Sequence, residues 1–190
     1  MTDANGTDAE LPVGEWRAYA SAGDAARDAA AALARLRERG WTLGVAESLT
    51  GGMLAAALIA VPGASATVRG AIVAYATPLK HSLLGVDETL LARHGAVHPE
   101  VARQMADGVR RAVAIDGRPA EVGIATTGIA GPDSPDGQPV GTVHIGVSTP
   151  DDSRVLTLRL DGDRAAIRSE SVGAQRGVRE YHVFRLRYIR

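Results

Sequence analysis

Short apolar runs alternate along the chain with longer segments in which apolar residues recur at helical spacing. The apolar runs predict three buried strands, over residues 41–46, 70–76 and 121–127. The helical spacing predicts helices over residues 25–39, 51–60, from 77 onward, and 99–116. Strands that alternate with helices in this way are typical of an α/β fold.

The ends of these predicted helices carry residues that begin and stop helices. Thr50 stands where an N-cap belongs for the helix over 51–60, which Pro62 and Gly63 would end. Thr77-Pro78 and Pro99 each begin a further helix, because proline fits the first helical turn. The sequence therefore predicts two helices between the second and third strands.

The pattern changes after the third strand. The Gly-, Pro- and Asp-rich segment 128–140 predicts a loop, and the runs 141–149 and 153–160 predict an antiparallel hairpin added to the sheet. A helix over 164–172 follows. We expect a three-layer α/β/α sandwich with a mixed, mostly parallel sheet, built as a single domain over 23–190.

The two ends of the chain differ from this pattern. Residues 1–22 mix Gly, Pro, acids and scattered aromatics without a period, which predicts a flexible tail. They do not resemble a secretory signal, and no apolar run reaches membrane-spanning length. Residues 173–190 are Gly- and Arg-rich and are atypical for the end of such a domain.

Composition narrows the class of function. A formal net charge of -1 gives no broad basic field for nucleic acid. The absence of cysteine excludes disulfides, thiolate chemistry and cysteine-ligated metals, and the five histidines lack metal-ligand spacing. We expect a cytoplasmic protein with no metal or other cofactor and no nucleic-acid or membrane partner.

The basic residues are distributed unusually. Of 21 Lys and Arg residues, 20 are Arg and Lys80 is the single lysine. Arginine stays protonated in proteins, whereas a lysine that is buried or placed near positive charge can lose its proton. Among the Lys and Arg residues, Lys80 is therefore the one side chain suited to act as a base.

A serine lies where such a base could activate it. Ser48 falls between a predicted strand and a predicted helix, beside Gly51 and Gly52, which allow close approach to a helix N-terminus. Lys80 follows 32 residues later, one βαβ unit along the chain, and Tyr75 ends the intervening strand. These residues are predicted to meet at one sheet edge, although Ser and Thr before a helix also serve as ordinary caps.

A second Gly-rich turn follows the third strand over residues 126–133. Turns of this kind can present successive amides to a phosphate, ribose hydroxyls or a carboxamide, or can simply connect two strands.

Six segments of the chain occur in a characteristic order: AESLTGG, VPGAS, VAYATPLKHSLLGV, HGAVHPEVARQMADGV, TTGIAGPDSPDGQPVGTVHIGV and GDRAAIR. In this combination the chain resembles the CinA C-terminal family of nicotinamide-nucleotide amidohydrolases over about residues 25–168. The resemblance implies an α/β/α fold and a Ser/Lys dyad. It also implies hydrolysis of nicotinamide mononucleotide to nicotinate mononucleotide and ammonia.

The resemblance also implies residue roles. Ser48 would be the nucleophile, Lys80 the base and Tyr75 a further catalytic residue, while Arg164 and Arg168 would pair with the substrate phosphate. The remaining substrate-binding residues would be Glu47, Thr50, Gly51, Gly52, Thr127 and Gly128. A homodimer is also expected. Two other interpretations remain open: a non-catalytic nucleotide-binding module, and a Ser/Lys amidase with a different substrate.

Overall fold

The computed structural model describes residues 23–134 and 137–173. The predicted tail over 1–22 and most of the atypical segment, residues 174–190, lie outside the described residues. The strands are β1 Leu43–Glu47, β2 Val68–Val73, β3 Val122–Gly128, β4 Thr142–Ser148 and β5 Ser153–Arg159. The helices are α1 Gly23–Glu38, α2 Met53–Ile59, α3 Thr77–Leu84, α4 Glu88–His94, α5 Pro99–Ala112 and α6 Arg164–Val172.

The five strands form one sheet in the order β2-β1-β3-β4-β5. The central strand pairs, β1 with β2 and β1 with β3, are parallel. The predicted hairpin is present, because β4 pairs antiparallel with both β3 and β5. Among the described strands only β4 therefore runs against the others, which confirms the mixed, mostly parallel sheet.

Helices cover both faces of this sheet. On one face, Leu33 of α1, Leu54 of α2 and Ile167 of α6 are buried in one apolar cluster with residues of the sheet. On the other face, Leu84 of α3 packs in a second cluster with side chains of α4 and α5. Burial of apolar area on both sides drives the three layers together. The predicted three-layer sandwich is confirmed.

Helix α5 lies unusually close to the sheet. A Cβ atom added at Gly123 of β3 would lie 1.8 Å from the carbonyl oxygen of Ala106, and one added at Gly146 of β4 would lie 2.2 Å from that of Ala102. Only glycine leaves room for the helix backbone at these two positions.

Three helices, not two, connect β2 to β3, so the predicted count was wrong. The additional helix, α4, is only seven residues long, too short to show a clear period. Its start is fixed by Asp87, whose carboxylate accepts hydrogen bonds from the amides of Thr89 and Leu90.

No helix in the described part of the chain is long and apolar enough to cross a membrane.

Other helix boundaries also differ from the prediction. Helix α2 begins at Met53, and its N-cap residue is Gly52, which makes no side-chain capping hydrogen bond. The prediction that Thr50 is the N-cap residue was therefore wrong. The N-cap of α3 is Ala76, which makes Thr77 the first helical residue. Helix α5 begins at Pro99 as predicted but ends at Ala112, four residues before the predicted end.

Candidate active site

Ser48 follows the last residue of β1 and opens the turn that leads into α2. Strand β1 lies between two parallel neighbours, so this turn leaves the carboxyl edge of the sheet, where α/β proteins place their ligands. The amide of Gly51 donates to the carbonyl oxygen of Ser48 at 3.1 Å, which tightens the turn. The Ser48 residue is 8% exposed.

Lys80 approaches Ser48 from the first turn of α3. Its Nζ lies 3.1 Å from Ser48 Oγ and donates to the carbonyl oxygen of Ala74 at 2.8 Å. The Tyr75 carbonyl oxygen lies 3.5 Å from the same nitrogen. Lys80 is 0% exposed, and burial of this kind disfavours the charged form of a lysine.

Ser48 and Lys80 line a cleft of about 240 Å³. The cleft brings together six of the predicted site residues: Ser48, Tyr75, Lys80, Thr127, Gly128 and Arg164. The other residues that line it were not predicted individually as site residues: Leu49, Thr77, Ala96, Val97, Ile129, Ala130, Gly131 and Asp133. Several of these lie in the Gly-rich turn after β3, which was identified as a possible binding turn.

Tyr75 and Arg164 meet at the exposed side of the cleft. Arg164 Nη2 donates to the Tyr75 hydroxyl at 3.0 Å, and its Nη1 donates to the carbonyl oxygen of Gly131 at 2.8 Å. Tyr75 is 60% exposed. Residues from β2's end, the Gly-rich turn and the start of α6 are thereby joined around an accessible cation.

Thr127 connects the end of β3 to one wall of the cleft, whose residues were not predicted from the sequence. Its hydroxyl donates to the carbonyl oxygen of Ala96, in the connection between α4 and α5. Ala96 and Val97 both line the cleft. The available signal was the HGAVHP segment, which belongs to the resemblance, but Ala96 and Val97 themselves carry no side chain with obvious chemistry.

Glu47, expected to bind substrate, is instead bound by the protein's own backbone. Its fully buried carboxylate accepts hydrogen bonds from the amides of Gly52 at 2.9 Å, Leu54 at 3.2 Å and Ala55 at 2.8 Å. It therefore supplies the cap at the start of α2 that was assigned to Thr50. In this structure Glu47 does not line the cleft, and its contacts are with the start of α2.

The other expected binding residues outside the cleft are likewise engaged internally. The Thr50 hydroxyl is buried and lies 2.8 Å from that of Thr126. The Gly51 amide donates to the Ser48 carbonyl oxygen and the Gly52 amide donates to the Glu47 carboxylate. Neither amide is therefore available to an oxyanion or a phosphate. Arg168 donates from Nε to the carbonyl oxygen of Leu49 at 2.8 Å.

Comparison with known protein families identifies the family to which this chain belongs. The model of the CinA C-terminal domain matches residues 26–178, most of the chain. The chain belongs to the CinA C-terminal domain family.

Relatives and solved structures agree with membership of the CinA family. A CinA-like protein of Frankia casuarinae is 52% identical over 140 residues, which cover 74% of this chain and 31% of that protein. A CinA-like protein of Gloeobacter violaceus is 53% identical over 137 residues, or 72% and 31%. The crystal structure of the competence/damage inducible protein CihA from Agrobacterium tumefaciens matches with TM-score 0.71 and 33% identity, covering 78% of this chain and 88% of that chain. The chain thus spans about a third of the length of these two CinA-like relatives.

None of the histidines in the described part of this CinA domain lines the cleft that holds Ser48 and Lys80. His94 and His98 stack with ring centroids 4.7 Å apart, and His144 Nδ1 lies 2.9 Å from the hydroxyl of Thr157. Burial, reinforced by His98 and Arg159, lowers the pKa of His144 to about 4. Within residues 23–134 and 137–173, no group of three or more His, Asp or Glu side chains is arranged to hold a metal ion.

Proposed function

We propose that this chain is an amidohydrolase that converts nicotinamide mononucleotide to nicotinate mononucleotide and ammonia through an acyl-enzyme on Ser48. The observation that carries the proposal is the 3.1 Å contact between Ser48 Oγ and the Nζ of a completely buried lysine. Serine is a weak nucleophile at neutral pH, and an adjacent base that accepts its proton is what activates it.

The proposed role of Lys80 as a base requires its neutral amine form. In that form the amine can donate to the carbonyl oxygens of Ala74 and Tyr75 and direct its lone pair to the Ser48 hydroxyl. Both carbonyl oxygens come from the chain just after β2, so the strand that brings Lys80 to the cleft also orients its amine. This arrangement matches that of a general base held by neighbouring groups.

In the proposed reaction, Ser48 Oγ attacks the carboxamide carbon while Lys80 Nζ accepts the hydroxyl proton. The C–N bond then breaks, and the leaving group takes that proton from Lys80 and departs as ammonia. Water attacks the resulting ester as Lys80 accepts a proton from it. The Ser48–acyl bond breaks, Lys80 returns the proton to Ser48 Oγ, and the product leaves as a carboxylic acid that loses its remaining proton to water.

Arg164 supports a nucleotide rather than a simple amide as substrate. Its exposed guanidinium stands at the side of the cleft, held by Tyr75 and the Gly131 carbonyl oxygen, in a position to pair with a phosphate. Asp133, on the same lining, adds a carboxylate that can accept hydrogen bonds from ribose hydroxyls.

The test is ammonia release from nicotinamide mononucleotide by the purified chain, with Ser48→Ala, Lys80→Ala and Lys80→Arg beside it. We expect at least a 1000-fold loss of kcat for Ser48→Ala, in line with removal of a nucleophile. Lys80→Arg should lose almost as much as Lys80→Ala, because arginine keeps the charge but cannot accept the proton. A nicotinoyl ester on Ser48 should be visible by mass spectrometry of the acid-quenched wild type.

Ser65→Ala is the matched control, because Ser65 is exposed and lies outside the cleft. An active Lys80→Arg enzyme would overturn the dyad. Binding of the nucleotide without ammonia release, unchanged by Ser48→Ala, would identify a non-catalytic module instead. Release from other amides but not from the nucleotide would identify a Ser/Lys amidase with a different substrate.

A further inference from the structure

The turn that carries Ser48 is held from α6, a helix more than a hundred residues further along the chain. Arg168 Nε donates to the Leu49 carbonyl oxygen at 2.8 Å, and its Nη2 lies 3.3 Å from that of Thr50. These carbonyl groups belong to the turn, so neither takes part in the pairing of β1. Hydrogen bonds from a guanidinium are charge-assisted and stronger than neutral ones.

The same turn is held on its amide side by Glu47. The Glu47 carboxylate accepts hydrogen bonds from the amides of Gly52, Leu54 and Ala55. Its negative charge therefore lies against the partly positive N–H groups at the N-terminus of α2. Glu47 thus binds the end of the turn and the start of α2 through their amides, and Arg168 binds the turn through its carbonyl oxygens.

The backbone of Arg168 is held in place by the packing and capping of α6. The preceding residue, Ile167, is 1% exposed within the core cluster shared by α1, α2 and the sheet. Asp163 caps α6 by accepting from the amide of Ala166 at 2.8 Å. The guanidinium therefore reaches the turn from a rigid helix. Arg164, one helical turn earlier, faces the cleft instead.

From these contacts we infer that Arg168 is a positioning residue that holds Ser48 Oγ in line with Lys80 Nζ, and that it does not bind the substrate phosphate. This inference rests on the proposed function. Arg168 does not line the cleft, whereas Arg164 does. A displacement of the nucleophile by about 1 Å can cost on the order of 100-fold in rate.

The experiment compares Arg168→Gln and Arg168→Lys with wild type on nicotinamide mononucleotide and on its phosphate-free riboside. A positioning role predicts that Arg168→Gln lowers kcat by about 10- to 100-fold, by the same factor on both substrates, with KM within about threefold. Arg168→Lys, which can still donate to one carbonyl oxygen, should be intermediate. A loss confined to the phosphorylated substrate would overturn the inference and make Arg168 a phosphate ligand.

A second readout does not depend on the natural substrate. A small fluorophosphonate labels an activated serine as the Oγ–P bond forms and the P–F bond breaks with loss of fluoride. Labelling of Ser48 should slow in Arg168→Gln by the factor seen in kcat. Arg111→Gln is the matched control, because it removes an exposed arginine that pairs with Asp107 on α5. Thermal unfolding measured in parallel identifies any variant that has lost its fold, in which case Arg168→Lys decides.

The outcomes separate the inference from the proposed function. Normal labelling in wild type without ammonia release overturns the proposed function and leaves the labelling rates to judge Arg168. Equal labelling in wild type and both Arg168 variants overturns the inference even if the nucleotide is hydrolysed. A wild type that is neither labelled nor active has no activated serine to position, and the inference fails with the proposal.

Discussion

The close approach of α5 to the sheet can be tested with a single methyl group, by Gly123→Ala. The backbone of Gly123 is not in the left-handed region, so alanine meets no backbone strain there. The obstacle is contact: the new Cβ would lie 1.8 Å from the Ala106 carbonyl oxygen and 2.9 Å from its carbonyl carbon. Both atoms belong to the α5 backbone, so no side-chain rotation relieves the clash.

The size of the effect follows from the distance that α5 must move. Ordinary van der Waals contact begins at 3.4 Å, so the helix must retreat by about 1.6 Å (3.4 minus 1.8). Val101, Met105 and Val109 of α5, all fully buried, would lose contact with the sheet as it does so. Overpacking a core costs about 1–3 kcal/mol, and a clash with helix backbone belongs at the upper end, about 3 kcal/mol.

The assay is urea and thermal unfolding followed by far-UV circular dichroism, with Gly70→Ala as the matched control. Gly70 also lies in the sheet, but a Cβ there would meet only Val113 Cγ1, at an ordinary 3.5 Å. We expect Gly123→Ala to lower Tm by about 6–12 °C, which is about 3 kcal/mol for a chain of this size. Gly70→Ala should stay within about 0.5 kcal/mol of wild type. Equal stabilities for the two variants would refute the packing described for α5.

Two further predictions concern charge. Arg164→Gln should raise KM for nicotinamide mononucleotide by about 10- to 100-fold, the value of a charge-assisted phosphate contact, and leave KM for the riboside unchanged in steady-state assays. His144 should make the fold acid-sensitive, because its pKa of about 4 in the folded chain lies below its ordinary 6.5, so the unfolded chain binds the proton first. Stability should therefore be constant above about pH 6.5 and fall towards pH 4 by up to about 3 kcal/mol. Urea titrations of wild type and His144→Asn would show this part of the pH dependence only in wild type.

The meeting of Ser48 with Lys80 could be predicted from the sequence because topology alone brings it about. Both residues follow strands that pair in parallel, and the helix between those strands returns the chain to the same edge of the sheet. The strand assignments needed only apolar runs and their Gly and Pro boundaries. Errors of a few residues at the strand ends did not change which residues reached that edge.

The support of the serine turn could not be predicted in the same way. Capping rules consider small polar residues next to a helix and so favoured Thr50, whereas the group that caps α2 is a longer side chain on the preceding strand. The contact of Arg168 joins residues 119 positions apart and depends on where α6 packs, which no local pattern specifies.

One available signal does separate chemistry from support: successive side chains at a strand end point to opposite faces of the sheet. Glu47 turns towards α2, so Ser48, the next residue, is the one directed to Lys80 on the face of α3. The same alternation divides the end of β3, where Thr126 contacts Thr50 and Thr127 contacts Ala96 beside the cleft. A motif that contains neighbouring polar residues at a strand end therefore assigns only one of each pair to the cleft. The single lysine, fixed on α3, identifies which face that is.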